Sequence, residues 1–321
     1  MSGPVSRAWH VVFQPGFFAT PSVQLALEVG AAVAVVSAVV GFFTVLRGQS
    51  FAGEALGDLG TTGGSAAFLA GVGPIWGFLG FAVVAAAVME LIGVQRPRGR
   101  DLATGIVLGA GLGLAALFLY WDTTVRATTG ATVTILFGSV FAITPSTLPV
   151  VIVLAVAALS LVAVLYRPLL LSSVNADLAA VRGVRVRLVG LLYLFAMAVA
   201  VALSAVTIGS ILSTALLIGP AATGLLLTRR PARAILTAAL TGVLATWAGI
   251  LLAYDSYYWP PRGHGWPVSF FVVTLAFLFY LAARLGNAHR RGRAVARTPA
   301  PVPTLDGSDT AVAGRGRLAG R

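Results

Sequence analysis

The sequence predicts an all-α, polytopic membrane protein with about eight or nine transmembrane helices. Three observations predict it. Of 321 residues, 58% are apolar and only 10% charged, whereas a soluble domain carries roughly 25% charged residues. Stretches of about 20 mostly apolar residues, the length that crosses a bilayer, recur along the chain. The basic residues collect in alternate connections between those stretches, as the positive-inside rule requires of a multi-pass protein.

Taken in order, the candidate spans lie near 22–46, 52–71, 75–94, 102–121, 147–166, 188–206, 208–227, 234–253 and 268–285. The second is the weakest, because it holds Glu54, Asp58 and many glycines. The stretch 131–143 is apolar but short, which suits a re-entrant or interfacial piece. Gly105, Gly109, Gly111 and Gly113 in one span permit close helix packing. Arg47, the group Arg96, Arg98 and Arg100, the group Arg167, Arg182, Arg185 and Arg187, the group Arg229, Arg230 and Arg233, and the basic residues after 285 all fall on one side. That side is read as cytoplasmic. Residues 1–21 form an N-terminal segment that is extracytoplasmic or interfacial, without the pattern of a cleaved signal peptide. Residues 22–285 are the transmembrane domain, with the polar break 167–187 as a cytoplasmic loop inside it. Residues 286–321, rich in Arg, Gly, Pro and Ala, are expected to be a disordered basic tail in the cytoplasm.

Composition also excludes functions. All 22 basic residues are arginine, and there is no lysine. A P-loop needs its lysine to reach the terminal phosphates, so the chain carries no ATPase site of that type. Schiff-base chemistry is excluded for the same reason. With no cysteine, thiolate metal sites and disulfides are excluded too. The net charge of +12 is explained by cytoplasmic arginines and needs no nucleic-acid partner.

An ionisable side chain inside a span is costly and marks a candidate site. Glu54 and Asp58 stand four residues apart, one turn along a single helix face. Two like charges at that distance repel, and a shared cation relieves the repulsion. A segment starting at the cytoplasmic edge would leave the same acids merely wet. Glu28 lies one turn into the first span and is expected to reach water. Glu90 lies near Arg96 and Arg98 and is expected to be ion-paired or wet. In the outer stretch 254–267, five aromatics form an interfacial belt. There Asp255 and His264 have the donor chemistry of a metal entry point. In 167–187, Ser173 or Asn175 can cap a short helix through Asp177, Val181 and Arg182 that Gly183 ends. Such a helix suits docking of a soluble partner.

These features resemble the permease subunit of the zinc and manganese group of metal-ion ABC importers. Phe51-Ala52-Gly53-Glu54-Ala55-Leu56-Gly57-Asp58 is similar to that family's F-G-D-x-L-x-H segment, with Glu54 for its Asp and Asp58 for its His. Leu136 to Thr144 resembles L-F-G-D-x-L-A-V-T, with Ser139 for the Asp. Asn175 to Val184 resembles its coupling segment, and Ser204 to Ala222 its V-G-x-L-L…L-L-I-x-P-A-A run. The resemblance implies a homodimer in the bacterial plasma membrane, a separate cytoplasmic ATPase coupled through Asp177, Val181, Arg182 and Gly183, and an external binding protein. It implies manganese or zinc as cargo, with Glu54 and Asp58 as its ligands and no resident cofactor. Losing the imidazole leaves an all-oxygen pair that favours a hard cation. The alternatives are a permease for a metal chelate of the siderophore or cobalamin type, a secondary cation transporter, or a membrane protein without transport activity.

Overall fold

The computed structural model describes residues 17–92, 100–125, 129–138, 140–259 and 265–296. Eleven α-helices carry them: α1 (Pro21–Leu46), α2 (Ser50–Ala70), α3 (Pro74–Ile92), α4 (Arg100–Thr124), α5 (Thr129–Phe137), α6 (Leu148–Val174), α7 (Ala176–Val181), α8 (Val186–Ile208), α9 (Ser210–Leu227), α10 (Pro231–Ser256) and α11 (Val268–Ala296). Among the described residues there is no strand. That is what the bilayer demands, since a helix satisfies its own backbone in a medium with no water.

Nine of these helices match the nine expected spans, and eight are both long and apolar enough to cross a membrane. The exception is α2, whose acids and glycines dilute its apolar content. The stretch 131–143 is too short to span: it forms α5 and a 3-10 turn at Val140–Ala142. The last span runs past its expected end at 285 as helix to Ala296. The chain divides into two units, Met1–Arg284 and Leu285–Arg321.

Within the first unit, α1 and α8 form the core, with 67% and 72% of their most apolar stretch buried. Phe42, Phe43, Tyr193, Leu194, Met197 and Leu203 sit there without solvent access. In α4 only 22% of that stretch is buried, so its apolar surface is left for lipid or another protein. Its glycine row explains little of the packing. Space is open around Gly105, Gly109 and Gly113, and only Gly111 meets a neighbour, Leu59. The close approaches lie elsewhere. Gly63 of α2 and Gly77 of α3 touch so tightly that a Cβ on either would strike the other's carbonyl. A Cβ on Gly41 of α1 would strike the carbonyl of Leu217 in α9.

One connection decides where the site sits. Gly209 alone joins α8 to α9, at φ +89°, a backbone conformation that favours glycine. The turn is buried: Ile208 and Ser210 are each 2% exposed. Gly138, at φ +74°, presses its backbone against it, and Ser210 Oγ donates to the Ile135 carbonyl at 3.3 Å. Thus α5 closes over the α8–α9 hairpin.

Candidate functional site

Helix α2 lies in the groove of that hairpin, and its glycines record the depth. A Cβ on Gly53 would lie 3.0 Å from Leu217 and 3.8 Å from the Met197 sulfur. One on Gly57 would lie 3.0 Å from Ser213 Oγ and 3.6 Å from Val201. Met197 and Val201 belong to α8 and Ser213 and Leu217 to α9, so Glu54 and Asp58, each next to one of these glycines, stand on the stretch of α2 that packs against that hairpin.

Both acids are half-buried. Neither has an ion-pair partner among the described residues, where the one such pair is elsewhere. Glu54 lines a cavity of about 510 Å³ between α2, α9 and α11, with Thr214, Ile218, Phe277 and Tyr280. Its wall is apolar apart from Glu54 and the two hydroxyls. Among the described residues no three His, Asp or Glu gather into a ready-made metal site. The two carboxylates carry oxygen donors only.

The polar break at 167–187 folds as its residues direct. Asn175 is the cap, its Oδ1 accepting from the Leu178 N–H at 2.9 Å. Ser173, the other candidate, instead donates back to the Leu169 carbonyl at 2.6 Å. Gly183, at φ +80°, ends the segment. The Val184 N–H reaches the Ala179 carbonyl and the Gly183 N–H the Ala180 carbonyl, which is a Schellman closure. Asp177, Val181, Arg182 and Gly183 are all exposed, Val181 at 86%. Leu178 beside it is 45% exposed, so two apolar side chains stand on the surface of this capped polar loop.

On the opposite side, Asp255 is buried, and its Oδ1 finds no hydrogen bond among the described residues. His264 lies outside those residues. Tyr254, Tyr257, Tyr258 and Trp266 line a cavity of about 520 Å³ there. Trp266 stacks on Phe271 with centroids 6.0 Å apart. Glu28 is exposed, as expected of a side chain reaching water.

Other features are not visible in the local sequence. Glu90 does pair, but with Arg187 at 3.1 Å, on α8; Arg96 and Arg98 lie outside the described residues. The Arg47 guanidinium bonds Gln49 and Ser172 and stands 5.5 Å over the Tyr193 ring. Asp122, near the end of α4, is fully buried.

The fold has solved counterparts. PsaBC from Streptococcus pneumoniae, determined in complex with Fab, superposes with a TM-score of 0.70 at 26% identity, over 84% of this chain and 92% of that one. The manganese transport system membrane protein MntC of Listeria innocua is 29% identical over 76% of this chain and 86% of its own length. The manganese import system permease protein ScaB of Streptococcus pneumoniae is 30% identical over 72% and 81%. Residues 19–284, almost the whole helical array, match the ABC 3 transport family. The chain belongs to the ABC 3 transport family, as a multi-pass permease of the bacterial plasma membrane.

Proposed function

We propose that this permease imports a divalent metal ion, manganese or zinc, with Glu54 and Asp58 as its ligands inside the membrane. The observation that carries the reading is a pair of half-buried acids, packed against the α8–α9 hairpin, with no basic partner among the described residues. A carboxylate pair held there is unfavourable unless a cation visits it. Its donors are all oxygen, which favours manganese over zinc. The permeases MntC and ScaB, similar over most of this chain, are named for manganese.

Two carboxylates fall short of the six or more oxygens a hard cation takes. A homodimer that faces the Glu54 sides of two copies toward one pathway supplies the rest. Energy comes from a separate ATPase, because a lysine-free chain cannot build a P-loop. That ATPase docks on α7 through Asp177, Val181 and Arg182. A metal-binding protein outside the cell delivers the ion to the aromatic face near Asp255 and His264. The alternative, a chelate permease, has no use for bare carboxylates on α2.

Manganese uptake into vesicles holding the permease and its ATPase tests the reading. Glu54→Ala with Asp58→Ala is expected to abolish uptake while the complex still assembles. Unchanged uptake overturns the proposed ligands.

A further inference from the structure

We infer that Arg47 is the positioning residue that couples the ATPase-docking helix to the metal ligands. The inference rests on the function proposed above. Arg47 follows the last turn of α1, and its planar guanidinium reaches two other elements. Nε donates to Gln49 Oε1 at 3.2 Å, and Nη1 donates to Ser172 Oγ at 3.1 Å.

Each partner stands at the foot of a working helix. Gln49 is 1% exposed and immediately precedes α2, whose fifth residue is Glu54. Ser172 is 8% exposed, in the last turn of α6, three residues before the Asn175 cap of α7. A single side chain therefore holds the root of the docking helix and the root of the acid-bearing helix. Beside it the packing of α1 on α6 is apolar, as where Phe43 meets the Tyr166 ring at 6.0 Å. Apolar contacts are non-directional and let surfaces slide. A charged, forked donor is directional and carries displacement from one partner to the other. Lysine, a point charge on a flexible stem, does not reproduce the fork.

Tyr193 fixes the pivot. Its hydroxyl donates to the Val40 carbonyl at 2.9 Å and lies 2.6 Å from Thr44 Oγ1, which ties α1 to α8 under the guanidinium. The Tyr193 hydroxyl belongs to the anchor, whereas the Ser172 bond belongs to the link. Arg47 thus does more than mark the cytoplasmic side. An arginine serving only that purpose needs water and no internal partners.

The test uses the full transporter in vesicles, reading manganese-stimulated ATP hydrolysis and manganese taken up per ATP. Arg47→Gln is expected to lower the stimulation at least about 5-fold, the lower end of typical site-to-site coupling. Ser172→Ala, which removes one hydroxyl, is expected to lower it less, with basal hydrolysis and ATPase copurification unchanged. Tyr193→Phe keeps the ring under the guanidinium; it is expected to lower the melting temperature and leave uptake per ATP intact. Full stimulation in both Arg47→Gln and Ser172→Ala overturns the link. So does Tyr193→Phe uncoupling as strongly as Ser172→Ala, since that pattern is a general loosening. The double acid variant separates the two readings. If it retains uptake, the proposed metal site falls. If it loses uptake while Arg47→Gln and Ser172→Ala both stay coupled, only the link falls.

Discussion

Two sets of carboxylates stand in the helical array, and they are held in opposite ways. Glu90 is 7% exposed and takes the guanidinium of Arg187 across from α8. Among the described residues Glu54 and Asp58 face no cation, and each is the other's nearest acid along the helix. A buried charge that the chain itself neutralises belongs to the architecture. A pair without such a neighbour, one member of which lines a cavity, is the arrangement on which the proposed cation site rests. Burial alone does not separate the two roles, since the paired acid is the more buried one. The partner does.

The contrast is broken most directly at the acid pair. Replacing both Glu54 and Asp58 by Ala is expected to lower uptake at least about 100-fold, the upper end of what even outer-shell partners of a metal cost. Asp58→His sharpens the comparison by restoring an imidazole. Competition uptake is expected to shift toward zinc by roughly 10-fold, within the range seen for changes around a metal. An unchanged preference would show that the second position does not contact the ion. At the paired acid, Arg187→Gln strands a buried carboxylate and is expected to cost about 1–3 kcal/mol, seen as a lower melting temperature with uptake per folded transporter retained. Glu90→Gln removes the charge and is expected to cost less. If the order of these two variants were reversed, the guanidinium would matter more than the stranded acid. The smallest effect is at Asn175→Ala, expected to cost about 1 kcal/mol of local helix stability. It should weaken ATPase copurification and leave the global melting temperature nearly unchanged.

Most of the helical framework was legible in the sequence, because lipid imposes length and composition on each span separately. The two acids were legible for a similar reason: carboxylates are so few that two of them four residues apart stand out. The cap and closing glycine of α7 were legible because capping is local. What escaped was contact over long separations. Arg47 meets Ser172, 125 residues away, and Glu90 meets an arginine 97 residues away. No periodicity encodes such pairs. The glycines misled in the same way, since Gly63 and Gly77 are used and the showier row in α4 mostly is not. Depth was also hidden. That α2 enters the groove between α8 and α9 follows from packing against Met197 and Ser213 and from no pattern within α2 itself.

The one-residue connection at Gly209 has a consequence for how the protein is made. Two spans separated by a long polar loop can enter the bilayer one after the other, with the loop holding the first in place. Here there is no loop to hold. The chain leaves α8 at Ile208 and begins α9 at Ser210, so the two spans enter as one hairpin. The end of α5 is synthesised earlier, and its backbone lies against that turn with no room for a side chain. Biogenesis therefore includes a fitting step inside the membrane, in which the hairpin is seated beneath a segment that was synthesised before it.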